Sequence, residues 1–172
     1  SNNTGADNIA IGCHSGCCLA TGCENIFLGR YAGRCADTAI QNIAIGNCSG
    51  RDTTGLQNIF IGNNAGAIDS DGNYNVFIGE CAGCISDSNT SDNVIIGSRA
   101  GMTLDGIDDS VFIGHCAAGN LSNGGGDQSI LIGLRAGYNS GQNSGSNLAI
   151  GNCAAYNQGV LTTNNVAIGC EA

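Results

Sequence analysis

Asn8-Ile9-Ala10-Ile11-Gly12 returns as Asn25-Ile26-Phe27-Leu28-Gly29, again as Asn42-Ile43-Ala44-Ile45-Gly46, and seven more times up to Asn165-Val166-Ala167-Ile168-Gly169. The ten phrase-closing glycines are separated by 17, 17, 16, 17, 18, 17, 19, 18 and 18 residues. A period of this size predicts stacked coils, each one turn of a repeat architecture. Within each phrase an Asn or Ser is followed by Ile, Val or Leu, a variable apolar residue, Ile or Leu, and Gly. Three residues later comes Ala or Ser, then Gly or Ala. Length changes fall between that small pair and the next phrase, where a loop absorbs them without shifting strand register.

The rest of the composition supports an all-β parallel solenoid, a β-roll of about ten coils, as a single array over residues 1–172. No segment carries a helical apolar period, and no tract is long enough to span a membrane. Apolar residues make up 42% of the chain and charged ones 11%, which is not the balance of a disordered protein. Proline, lysine and tryptophan are absent. Turns therefore fall to Gly, Asn, Asp and Ser, and the missing proline suits a stack in which nearly every amide bonds to a neighbouring coil. The chain starts inside repeat-like sequence at Ser1 and has no initiator Met. It reads as a piece of a longer fibrous array or as a unit whose ends stack.

Side chains in a strand alternate, so Ile9 and Ile11 share one face and Ala10 takes the other. The first face is aliphatic in all ten phrases, and stacking at about 4.8 Å predicts a dry interior some 48 Å long. The opposite face carries only apolar residues as well, including Phe27, Phe60, Phe77, Ile95, Phe112 and Leu131. A wall left in water alternates apolar with polar, so this second face must also be covered. The cover is either the chain's own second strand, from Ile68, Ile85, Leu104, Leu121 and Val160 to Leu161, or the same stripe on other copies. The stripe is constant while those segments vary, which favours an oligomer interface made by the six large residues. The Asn that opens eight phrases is expected to form a stacked side-chain ladder or to bond its own turn.

The pattern Asn-Ile-X-Ile-Gly-X-X-Ala-Gly resembles the repeats of phage tail-fibre proteins, those of marine phages such as cyanophages in particular, over essentially the whole chain. It is also similar to the shorter head repeats of trimeric autotransporter adhesins. The resemblance implies a homotrimeric β-roll in a fibrous appendage, extracellular or on the virion surface, that binds a host receptor or glycan. Loops 119–127 and 138–146, whose lengths vary, would decorate one edge. The alternative is a subunit of a head-to-tail stacked extracellular filament.

The formal charge of −9, from five Arg against fourteen Asp and Glu, argues against nucleic acid or an anionic membrane as partner. Eleven cysteines are more than either family needs. Cys48, Cys81, Cys116 and Cys153 each lie two residues after the phrase glycine but in alternate coils, about 9.6 Å apart and too far to bond along one chain. Cys18 and Cys35 occupy equivalent places in adjacent coils, which makes them the best candidate disulfide. Cys13 with Cys17, and Cys81 with Cys84, are candidates within single turns. Neither group is followed by a second pair at zinc-finger spacing, so no metal is expected. Asp69-Ser70-Asp71-Gly72-Asn73 lacks the closing Glu of a calcium loop, and it reads with Asp105, Asp108 and Asp109 as solvated turn. Arg34 and Arg51 are expected to pair with Asp37 and Asp52. His14 and His115 have no triad context and no phosphate loop is present, so no enzyme and no cofactor is expected. A hexapeptide acyltransferase pattern fails, because six residues past Ile11, Ile45 and Ile61 stand Cys17, Arg51 and Ala67. A regular Thr ladder of the ice-binding kind is missing too.

Overall fold

The computed structural model describes residues 5–69, 71–87, 90–121, 127–139, 145–157 and 163–172. Each phrase forms a strand of three residues: β1 (Ile9–Ile11), β2 (Ile26–Leu28), β3 (Ile43–Ile45), β4 (Ile59–Ile61), β6 (Val76–Ile78), β8 (Val94–Ile96), β10 (Val111–Ile113), β11 (Ile130–Ile132), β12 (Leu148–Ile150) and β13 (Val166–Ile168). These ten make one parallel sheet in chain order, with Ile9 beside Ile26, Ala10 beside Phe27 and Ile11 beside Leu28, and so on coil by coil. A shorter parallel sheet on another side of the coils contains β5 (Ile68–Asp69), β7 (Ile85–Asp87) and β9 (Thr103–Asp105). The chain is an all-β parallel solenoid with a repeat of about 17 residues and no helix among the described residues.

What bends each coil is a set of left-handed backbone positions at fixed places. The residue five before the phrase glycine is one, as in Glu24 (φ 59°) and Asp92 (φ 61°), and the residue two after it is another, as in Tyr31 (φ 60°) and Cys48 (φ 55°). The phrase glycine itself sits near φ 137° in most coils, a region closed to any residue with a Cβ. At Gly46 an added Cβ would lie 2.7 Å from the carbonyl carbon of Gly62 in the next coil, so the glycines form a column of backbone-to-backbone contact.

The interior is the opposite of the one expected from alternation. Phe27, Phe60, Phe77, Ile95, Phe112 and Leu131 are buried inside the single chain and are not an oligomer interface. Alanines three residues after the phrase glycine, such as Ala65 and Ala82, complete this core together with Leu104, Ile107 and Leu121. Gly33 lies so close to the Phe27 ring that a Cβ there would sit 2.6 Å from it. One large side chain per coil therefore fills a narrow lumen, and each buried phenyl is worth roughly 1.5–3 kcal/mol in transfer free energy. Of the segments considered as cover, Leu104 and Leu121 do point inward, Ile68 and Ile85 are each 42% exposed, and Val160 and Leu161 lie outside the described residues. The aliphatic rows that flank the Phe stripe, expected inside, face outward.

The asparagine ladder explains the choice of face. Asn25, Asn42, Asn58, Asn75 and Asn93 are fully buried, and each shares strand parity with the inward middle residue of its phrase. Asn42 Oδ1 accepts the backbone N–H of Asn58 at 2.8 Å, and Asn42 Nδ2 donates to the Gly55 carbonyl at 2.8 Å. Asn58 repeats the pattern with Asn75 N–H (2.9 Å) and the Gly72 carbonyl (2.7 Å). Ser110 and Ser129 continue the acceptor line, each receiving the N–H of the next coil at 3.1 Å. The polar side chains that the lumen must hold are satisfied this way. Two buried hydroxyls, those of Thr53 and Thr90, have no hydrogen-bond partner among the described residues.

Candidate functional site

The outward face of the ten-stranded sheet is built from the first and third residue of every phrase. All twenty are Ile, Val or Leu. In mid-array they are partly in water, with Ile45 37% exposed, Ile61 36% and Ile130 42%. In-register pairing lines them up in two continuous rows, a flat wall about 48 Å long and about 10 Å wide, which makes on the order of 500 Å² of unbroken apolar surface. This is at the upper end of the largest apolar patch on an ordinary monomer, about 300–600 Å², which is often functional. The missed signal lay in strand parity. An Asn two residues before the Phe must share its face, and a ladder of Asn amides is satisfied inside a coil rather than against a flat partner.

Polar columns border this wall on both edges. On the edge before the phrase, Gln41 Nε2 donates to Glu24 at 2.8 Å and Gln57 Nε2 to Gln41 at 3.0 Å. On the edge after it, Asn47 Nδ2 donates to Asn63 at 3.1 Å, and the His14 and Tyr31 rings stack with centroids 5.3 Å apart at 9°. The Arg30 guanidinium lies 4.5 Å from the Tyr31 ring centre and that of Arg34 at 5.6 Å. Arg51 pairs with Asp52 at 2.6 Å as expected, and the carboxylate pushes the Arg51 pKa up. Arg34 makes no ion pair with Asp37 among the described residues.

A second ladder went unrecognised in the sequence. Leu56 N–H donates to Asn73 Oδ1 (2.8 Å), Ser91 N–H to Asp108 Oδ1 (2.7 Å) and Asp108 N–H to Asp127 Oδ1 (3.1 Å). Its side chains reach back to the preceding coil, whereas the asparagine ladder reaches forward. Asn, Ser and Asp six residues before the phrase glycine were its trace in the sequence. Asp108 is thus a rung rather than a solvated turn, while Asp109 is exposed. Residue 70 and the side chains of Asp69 and Asp105 lie outside the described residues.

All eleven cysteines are free thiols. Cys48, Cys81, Cys116 and Cys153 form the half-buried column that their spacing suggested, each in the left-handed region. Cys18 and Cys35 are neighbours on adjacent coils but are not bonded to each other. Cys17 Sγ is 3.6 Å from Cys18 Sγ, and this hydrogen bond, then burial, then Cys35, push the Cys18 thiol up to about 11. Burial first and Cys81 second do the same to Cys84, also to about 11. The denatured chain ionises these thiols at lower pH than the folded one. Reduced protein should therefore lose stability as pH rises from about 9 towards 11. At pH 8, iodoacetamide should modify Cys84 on the order of 100-fold more slowly in the folded than in the denatured chain. Peptide mapping after timed alkylation measures this, and equal rates would contradict the geometry.

Among the described residues no three His, Cys, Asp or Glu side chains come together as a metal site. A groove of about 370 Å³ between Arg135, Cys153, Tyr156, Glu171 and Ala172 carries one charge of each sign. No helix among the described residues is long and apolar enough to cross a membrane. Searches against protein-family models, curated proteins and solved structures find nothing that matches this chain.

Proposed function

We propose that the chain is a structural and adhesive module of a fibrous homo-oligomer, a trimer on the resemblance to tail-fibre and adhesin repeats, displayed outside the cell or on a virion. The observation that carries this reading is the outward wall of twenty aliphatic side chains. Copies pack side by side through it, each covering the other's wall. Head-to-tail stacking into a filament would leave that wall in water along its whole length, so lateral packing is preferred. The role is mechanical rather than catalytic. A repeating hydrogen-bonded rod holds its shape, and the segments 119–127 and 138–146, whose sequence length varies and which lie largely outside the described residues, are the ones proposed to meet a host receptor or glycan.

Sedimentation and light scattering of the purified chain test this. The expected result is an elongated trimer, and a monomer at all concentrations would overturn the reading. Replacing Ile61 and Ile78 by Asp should yield monomers that keep the β spectrum of the parent, because both side chains lie outside the lumen.

A further inference from the structure

The two edges of the wall carry charges that do not meet within one chain. The column five residues before the phrase glycine holds four acids, Asp7, Glu24, Asp92 and Asp109, and no cation. The two columns that follow the glycine hold His14, Arg30, Arg99 and His115 in those same four coils, and one further cation, Arg135, in a coil whose first edge carries Gln128. The eight side chains of those four coils are exposed, and none of them is in the one salt bridge found among the described residues, Arg51 with Asp52. Each acid is separated from the cation of its own coil by the width of the aliphatic strand. Every acid-bearing coil thus has a positive or donor side chain on its opposite edge. Where the second edge is acidic instead, at Glu80 and Glu171, the first edge carries Tyr74 and Asn164, which are neutral. No coil has an acid on both edges.

Resting on the side-by-side packing proposed above, we infer that this wall docks a second copy of the same chain in parallel orientation with coils level, paired across its edges by Glu24 with Arg30 and Asp92 with Arg99. Rotation about an axis along the stack brings the leading edge of one wall against the trailing edge of its neighbour at the same height. That relation is the one under which all four acids find a partner. An antiparallel two-fold arrangement sets like edges together, and the acidic column has no cation to offer. A shift of one coil upward leaves Glu24 against Asn47 and Cys48, although Asp7 then meets Arg30 and Asp109 meets Arg135, and a shift downward sets Asp92 against Glu80. Zero shift is also what a closed ring requires, since a constant offset would build an open helix. With its borders the wall widens to roughly 15–20 Å, on the order of 800 Å² per copy, the area a standard interface buries. The apolar rows supply the attraction, and the edges select direction and register, because the antiparallel and downward alignments set like charges together and the upward one leaves Glu24 without a cation.

The test is sedimentation velocity of the full chain at about 50 mM and about 0.5 M salt. E24R/D92R places Arg against Arg across each edge and should weaken assembly at least tenfold at low salt, with a smaller effect at high salt. R30E/R99E, altered on the other edge, should do the same, and circular dichroism confirms that both remain folded. The fourfold variant E24R/R30E/D92R/R99E reverses every pair and should recover the parent affinity. Either two-site variant assembling like the parent would overturn the inference, as would a fourfold variant no better than the two-site ones. A parent protein that is monomeric throughout would overturn the packing itself. An oligomer indifferent to these swaps would leave the packing intact and remove only the edge pairing.

Discussion

Phe60→Ala is expected to lower the unfolding free energy by about 3–5 kcal/mol. The Phe60 ring is fully buried, has its centre 5.4 Å from that of Phe77 in the next coil, and lies so close to Gly66 that no Cβ would fit there. Removing it empties most of the lumen at that level, and the neighbouring coils cannot collapse into the space because their own backbones are held at hydrogen-bonding distance. Ile43 N–H still donates to the Asn58 carbonyl and Gly62 N–H to the Ile45 carbonyl, at 2.8 Å each, whatever fills the lumen, so the loss is one of packing and not of sheet. The adjacent Ile61→Ala should cost far less in a dissociated chain, since about a third of that side chain is already in water. Urea denaturation of the two variants, measured at a concentration where copies are separate, decides the matter. If Ile61→Ala proved the more damaging, the assignment of inside and outside would be wrong.

Asn58→Ala should be nearly as severe, at about 2–5 kcal/mol, without touching any apolar contact. It removes the hydrogen bonds that the Asn58 side chain makes to the backbone N–H of Asn75 and to the carbonyl of Gly72 in the interior, and losing a buried partner of this kind costs roughly 1–3 kcal/mol. Asn58→Ser should lose less, because a hydroxyl can still accept the N–H from the next coil as it does at Ser110 and Ser129. Amide hydrogen exchange gives the local reading. The Asn75 N–H should lose protection in Asn58→Ala and keep most of it in Asn58→Ser. Equal protection in both would mean that the ladder is incidental to the fold.

Much of the architecture was open to a reading of residues alone, and particular positions show where that reading stopped. The spacing of Gly12, Gly29 and Gly46 located every strand of the long sheet, because a turn that closes on a neighbouring coil admits little variation in length. The short strands β5, β7 and β9 were not foreseen as a sheet, since Ile68, Ile85 and Thr103 share no motif and pair only because the coils above and below hold them level. The Cys18 and Cys35 alignment followed from equal offsets, yet whether two aligned sulfurs bond depends on side-chain geometry and redox conditions that spacing does not encode. The Arg34 to Asp37 pair was expected from proximity along the chain, and the guanidinium lies against the Tyr31 ring instead.

Period and composition determined that this protein is a parallel solenoid with an apolar row on each side of its main sheet, because hydrogen-bonded stacking forces equivalent residues of every coil into columns. Which row is core was settled only in three dimensions. Alternation says that Phe60 and Ile61 point opposite ways and is silent on which way is inward. The left-handed residues at the corners and the buried Asn column bend the chain towards the phenylalanines, and so leave the aliphatic wall as the surface that another copy can cover.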